Sequence, residues 1–135
     1  MTLLSWQDEY NINVAQIDDQ HRQMLSIALD LHAAVTAQRS NATLLKILKK
    51  LMEFSRMHFA FEETLMVEHS YPELKTHQEE HAALMQRLEV FHQSLENGRL
   101  LQLSPITDIT DDLVLAHVDG ADRKLGEFLN KQQVF

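Results

Sequence analysis

The chain has 135 residues, 44% of them apolar, with only 3 Gly and 2 Pro, which fits one helical domain over residues 1–135 with short connections. A formal charge of −8, with no basic patch, excludes nucleic acid and anionic membrane surfaces as expected partners. There is no Cys, hence no disulfide and no thiolate-held iron–sulfur cluster, and His and carboxylate are the strong metal ligands that remain.

The chain opens M-T-L-L-S-W-Q-D-E-Y, with neither a basic start nor a long apolar run, so a secretory signal is not expected. No apolar run is long enough to span a membrane, and the expected location is the cytoplasm. After this short N-terminal arm, Asp18 is the expected N-cap of a first helix running to about Gln38, with Met24, Leu25, Ala28, Leu31 and Val35 at helical spacing. Ser40 or Asn41 caps a second helix to about His69, its inner side expected at Ile47, Leu51, Phe54, Phe61 and Leu65. Pro72 suits the first turn of a third helix, which Asn97–Gly98 ends. Ser104–Pro105 reads as cap plus first-turn proline of a fourth helix, to about Asn130. Four long helices with short turns imply an all-α, up-down-up-down antiparallel bundle.

Five histidines and two carboxylates fall at ligand spacings: His21, His58 with Glu62, His77 with His81, and His117 with Asp122. A four-residue step turns about 400° on an α-helix, so each of the first two pairs emerges from one face. Imidazole suits Fe, Zn and Cu, and carboxylates can bridge two cations. Seven such groups on four segments exceed the needs of one ion and suit a pair. In alternating helices, late in the second, early in the third and past the middle of the fourth all approach the level where the first begins. The groups should therefore converge near one end. The five-residue step to Asp122 turns about 500° on an ideal helix. Asp122 must then reach in from the flank, or the helix must bulge near Gly120.

This ordered set resembles the hemerythrin family in its bacterial single-domain form, along almost the whole chain. The carriers are a lone His, HxxxE, HxxxH and HxxxxD, with Trp6 ahead of them. I-D-D-Q-H at 17–21, H-F-A-F-E-E at 58–63, Y-P-E at 71–73 and D-R-K-L-G at 122–126 add to it. A single HxxxH is weak; the ordered four are specific. The resemblance implies a non-haem diiron centre, oxo- or hydroxo-bridged, with His77, His81 and His117 on one iron. It places His21 and His58 on the other, with Glu62 and Asp122 bridging. The first iron then has six ligands and the second five, leaving the second open to dioxygen, which the family binds reversibly as a hydroperoxide. Two positions depart from the family pattern. Leu113 stands where many relatives carry Trp, and Val118 follows His117 where Ile is common; both reduce bulk near the expected ligand pocket.

Taken singly, each of these histidines reads more readily as an ordinary bundle residue, but seven unpaired polar groups converging in a core would be costly. His32 and His92, each eleven residues beyond a ligand, read as structural, and His69 as interacting with a helix end. Met24, Phe59, Phe61, Leu113 and Val114 are core residues first and pocket walls second. Glu79–Glu80 is expected to face water.

The expected function is non-enzymatic, reversible dioxygen binding for storage, buffering or delivery, by a monomer or weak oligomer with an oxygen-consuming enzyme as recipient. The alternatives are a diiron redox enzyme reducing peroxide or nitric oxide, or an oxygen sensor acting through a separate partner. The absence of an evident acid or base beside the ligands favours the carrier. A ferritin-like iron oxidase would need two ExxH motifs, and only Glu89–His92 has that form.

Overall fold

The computed structural model describes residues 6–135. The first five residues of the N-terminal arm lie outside the described residues, as does that part of the signal-sequence reading. The elements are α1 (Ala15–Thr36), α2 (Asn41–Glu68), α3 (Leu74–Glu96), α4 (Leu103–Thr110) and α5 (Arg123–Lys131), with a 3₁₀ turn at Asp8–Tyr10. Two π-helical stretches, Asp111–Ala116 and Val118–Asp122, join α4 to α5, so residues 103–131 form the fourth rod of an antiparallel four-helix bundle. α1 packs on α2 and α4, and α3 on α2 and α4. No described helix is long and apolar enough to cross a membrane.

The helix ends obey local chemistry. Ser40 caps α2, its side chain accepting from the Thr43 N–H at 3.3 Å. Gly98, at φ 77°, ends α3 with the Gly98 N–H on the Leu95 carbonyl and the Arg99 N–H on that of Ser94. The same paired bonds close α1 at Gln38, α2 at Ser70 and α5 at Gln133, all non-glycine residues at positive φ.

Several boundaries differ from the sequence expectation. α1 begins at Ala15, not after Asp18, because the Asp18 carboxylate accepts from the Ile12 N–H at 2.8 Å and ties down the arm rather than the helix start. Pro72 lies in the turn ahead of α3, where its fixed φ suits a turn. α4 begins at Leu103, with Gln102 as N-cap, and Pro105 is its third residue. Proline is tolerated there because the first helical N–H groups have no intrahelical partner. The inner line of α2 runs through Leu44, Leu48, Leu51, Ser55, His58, Glu62 and Met66. Ile47, Phe54, Phe61 and Leu65 flank it half-buried, so the expected stripe is centred one position off.

Two apolar clusters result. The larger holds Met24, Leu31, Leu48, Leu51, Phe59, Leu84, Leu88, Ile106, Leu113 and Val114. The smaller holds Ile12, Val14, Ile17, Met66, Tyr71, Val118, Leu125 and Leu129. On every rod the buried residues between these clusters are polar, and there the site lies.

Candidate metal centre

All seven expected ligands are buried and meet in one layer: His21, His58, Glu62 and Asp122 are 0% exposed, and His77, His81 and His117 at most 4%. Each sits where the helical step puts it. α1 supplies His21, α2 His58 and Glu62, α3 His77 and His81, and the fourth rod His117 and Asp122.

The five-residue gap is resolved by the backbone. The His117 N–H bonds the Asp112 carbonyl and the Arg123 N–H that of Val118, each spanning five residues as in a π-helix. A π turn closes over five residues, so the step from His117 to Asp122 returns to the same face. The bulge expected near Gly120 is present and includes it.

The carboxylates divide the imidazoles into two sets. Glu62 Oε1 lies 3.1 Å from His81 Nε2 and 3.5 Å from His77 Nε2, and Glu62 Oε2 lies 3.2 Å from His58 Nε2 and 3.6 Å from His21 Nε2. Asp122 Oδ1 lies 2.9 Å from His77 Nε2 and 3.2 Å from His117 Nε2, while Oδ2 is 2.9 Å from His21 Nε2. Each carboxylate thus offers one oxygen to each set. Two groups of donors could hold a metal ion, Glu62, His77, His81, His117 and Asp122 in one and His21, His58, Glu62 and Asp122 in the other.

The chemistry of these atoms suits a cation. All five Nε2 atoms and all four carboxylate oxygens are buried without a hydrogen-bond partner among the described residues, an arrangement too costly for an ordinary polar core. The electrostatics of the metal-free site agree. Burial pushes the His21 and His77 rings down, but Asp122 and Glu62 outweigh it and raise them to about 9 and about 10. His117 is raised by Asp122 against the same burial. Burial pushes Glu62 up, yet His58, His21 and His77 hold its carboxyl well below the usual range. Burial and Glu62 push Asp122 up, and His117 and His21 hold it low. The pocket's charges therefore attract positive charge, whether protons or metal.

The remaining ring nitrogens reveal residues that sequence reasoning missed. His58 Nδ1 donates to Gln20 Oε1 at 2.7 Å, and His81 Nδ1 to Glu63 Oε2 at 2.8 Å. Both bonds leave Nε2 free to ligate, the usual outer partnership of a metal-bound imidazole. His117 Nδ1 lies 3.6 Å from Glu80 Oε1. The expectation of no acid or base beside the ligands is therefore corrected: two carboxylates back them. The doubled Glu62–Glu63 was the available signal. Glu79 and Glu80 are exposed, as expected.

Phe59 stacks on His81 with centroids 3.9 Å apart and lies 5.7 Å from His58, so it walls the layer on the side of the larger cluster. Met24, Leu113 and Val114 are fully buried in that cluster. Phe61 instead packs half-buried against the smaller one. Beside His21 the arm closes the layer, with Trp6 at 6.3 Å from the ring. Trp6 Nε1 and Arg22 both donate to Asn11 Oδ1, at 3.2 and 2.9 Å. His32 and His69 are half-buried outside the layer, and His92 lies 3.1 Å from Glu96.

The family model described as the hemerythrin HHE cation binding domain matches residues 13–129. The chain is 31% identical to a bacteriohemerythrin of Stenotrophomonas maltophilia over 130 residues, which is 91% of this chain and 79% of the relative. It is 30% identical to a bacteriohemerythrin of Pseudomonas aeruginosa over 98 residues, covering 73% of this chain and 63% of the relative. A bacteriohemerythrin of Methylococcus capsulatus is 29% identical over 132 residues, 96% of this chain and 99% of that one. Among solved structures, a crystal structure of a hemerythrin mutant superposes with a TM-score of 0.86 at 26% identity, covering 96% of this chain and 98% of that one.

Proposed function

The chain belongs to the hemerythrin family, and from that premise we propose that it binds dioxygen reversibly at a two-iron centre, serving oxygen storage, buffering or delivery. His77, His81 and His117 hold one iron, His21 and His58 the other, and Glu62 and Asp122 span both. The observation that carries this reading is the set of nine buried, partnerless donor atoms, with one oxygen of each carboxylate turned to each half. The iron pair supplies, when bound, two electrons that dioxygen can accept and return.

The chain's own residues set the conditions. Three imidazoles crowd one half and two the other, so an incoming diatomic finds room on the His21 and His58 side. Gln20 and Glu63 fix the ring orientation of His58 and His81. Phe59, Met24, Leu113 and Val114 exclude water on the side of the larger cluster, which protects the reduced centre. Trp6 covers the flank beside His21.

The test is an iron count and an optical spectrum of anaerobically reduced protein, before air, after air, and again after oxygen is removed. Two irons per chain and a spectrum that returns are expected. One ion per chain, zinc alone after growth with iron, or a spectrum that never returns would sink the carrier reading.

A second reading, reduction of peroxide or nitric oxide, draws on the carboxylates behind the ligand rings, Glu63 at 2.8 Å from His81 Nδ1 and Glu80 at 3.6 Å from His117 Nδ1, which would make those imidazoles stronger donors to a bound metal. Steady turnover with an electron donor distinguishes it.

A further inference from the structure

The nitrogens that face away from the centre have unequal surroundings. Behind the three-imidazole half stand two carboxylates: Glu63 Oε2 at 2.8 Å from His81 Nδ1, and Glu80 Oε1 at 3.6 Å from His117 Nδ1. Behind the two-imidazole half, His58 Nδ1 meets the neutral amide of Gln20, at 2.7 Å, and no carboxylate among the described residues. His21 Nδ1 is buried with no hydrogen-bond partner among the described residues. On that side there is also a cation, since the Arg22 guanidinium lies 5.4 Å over the Trp6 ring that flanks His21.

An amide oxygen and a carboxylate both orient an imidazole, but only the carboxylate adds negative charge and draws on the N–H proton. That makes the opposite nitrogen a stronger donor. Negative charge behind a ligand also favours the more highly charged state of the ion in front of it. Glu62 and Asp122 cannot produce the difference, because each gives one oxygen to either half.

Resting on the two-iron reading above, we infer that Glu63 and Gln20 are positioning residues that make the two halves unequal toward electrons. Glu63 makes the His77, His81 and His117 half the firmer holder of Fe³⁺, and Gln20 leaves the His21 and His58 half the easier to keep as Fe²⁺. When ferricyanide takes one electron from the fully ferrous protein, becoming ferrocyanide, the iron oxidised is the one on the three-imidazole side. The remaining half then stays ferrous until a second equivalent arrives.

The experiment is a stepwise potentiometric titration of the iron-loaded full chain with ferricyanide and dithionite, read optically and by paramagnetic resonance, for wild type, Glu63→Gln and Gln20→Glu. Glu63→Gln should raise the lower-potential couple by about 59 mV, the equivalent of about tenfold in the ratio of oxidised to reduced iron for one electron. The other couple should move less. Gln20→Glu should lower the higher-potential couple, so both variants narrow the gap from opposite sides. Two-iron variants with unmoved couples would overturn the inference, as would Glu63→Gln shifting only the higher couple. If Glu63→Gln sheds iron, Gln20→Glu decides alone: a downward shift sustains the inference and an unmoved couple overturns it. Wild-type protein with fewer than two irons overturns the two-iron reading itself, and the inference with it.

Discussion

The two ends of the bundle are built on opposite rules. At the end holding the α1–α2 and α3–α4 connections, the interior is Leu31, Leu48, Leu88, Leu95 and Ile106, each at most 2% exposed, and every helix is regular. That end follows from apolar burial and tight helix closure, with Asn41 Nδ2 donating to the Arg99 carbonyl to join the two connections. At the other end the same rods carry a layer of five imidazoles and two carboxylates, the fourth rod unwinds into π turns, and the arm lies across the flank. Here burial opposes stability unless something positive fills the layer. One end is stabilised by what the chain contains, and the other by what it binds.

The strongest way to break this comparison is to strip the metal. Metal-free protein should remain folded through the regular end but lose about 4 kcal/mol, the linkage for a metal present at roughly a thousand times its Kd and bound by the folded chain alone. In a domain of this size that is on the order of 10 °C of melting temperature. Thermal unfolding of iron-loaded and chelator-treated protein checks it, and equal midpoints would contradict the division between the ends. The pH response follows from the same site. In the metal-free chain His21 and His77 are raised to about 9 and about 10, so their contribution is complete below about pH 6.5 and fades as the pH rises through 9–10. Glu62 and Asp122 are lowered, so theirs is complete above about pH 4 and is lost as the pH falls through their folded values. The metal-free chain should be most stable between those limits. At pH 7 iron uptake should release at least the two protons of His21 and His77, countable by calorimetry in buffers of different ionisation enthalpy. Release of none would mean that those rings are neutral before metal arrives.

At the regular end, Leu48 is fully buried, and Leu48→Ala should cost about 2–5 kcal/mol. Its cost should be the same with and without iron, because distant sites add to within about 0.5 kcal/mol. Denaturant unfolding of the variant in both states measures this. A cost that changes with metal would show the two ends to be coupled.

The same contrast governs what the sequence made legible. The candidate donor set was readable because five imidazoles and two carboxylates at turn spacing fit little besides a metal centre, and the structure brings all seven together. Of the two ways left open for Asp122, a reach from the flank or a bulge, the backbone takes the bulge. The supporting residues were not readable. Gln20 and Glu63 are ordinary helical surface types, and only the packing of α1 on α2, and of α2 on α3, brings them to His58 and His81. The stripe on α2 was centred one position off because apolarity was followed at Ile47, Phe54 and Phe61, whereas the true inner line passes through the polar Ser55, His58 and Glu62. Asp18 misled because a good helix cap is equally good at holding an arm: its carboxylate receives the Ile12 N–H.

That arm offers a subtler probe of the ligand end. A side chain at Gly126 would place Cβ 2.6 Å from the Ile12 carbonyl oxygen and 2.8 Å from the Ile12 Cβ, backbone and rigid side chain that cannot step aside. Gly126→Ala should therefore lift the arm and cost about 1–3 kcal/mol. Arg123, which donates to the Glu9 and Asn11 carbonyls, would lose its hold as well. Trp6 is the sole tryptophan of the chain, so its fluorescence should report the displacement from beside His21. An unchanged emission spectrum and melting point would show that the arm is not seated by this contact.

The smallest effect should appear at the helix ends, where both halves of the molecule use the same closure. Gln38 ends α1 at the regular end with φ 54°, and Ser70 ends α2 at the ligand end with φ 55°. A side chain in this left-handed region costs about 1–2 kcal/mol that glycine avoids, against glycine's greater freedom in the unfolded chain of about 0.5–1 kcal/mol. Gln38→Gly should therefore stabilise by roughly 0.5–1 kcal/mol in both metal-loaded and metal-free protein, since Gln38 lies in the α1–α2 connection, at the end of the bundle away from the ligands. Ser70→Gly should match it only if the turn into buried Tyr71 is set by backbone angle alone. Its backbone bonds, Ser70 N–H to the Val67 carbonyl and Tyr71 N–H to that of Met66, are those of the Gln38 turn one helix earlier. Chemical denaturation of the two variants side by side is the measurement. A gain at Gln38 with a loss at Ser70 would mean that the ligand end holds its turn by side-chain packing around Tyr71, and that even the helix closures at the two ends differ in what stabilises them.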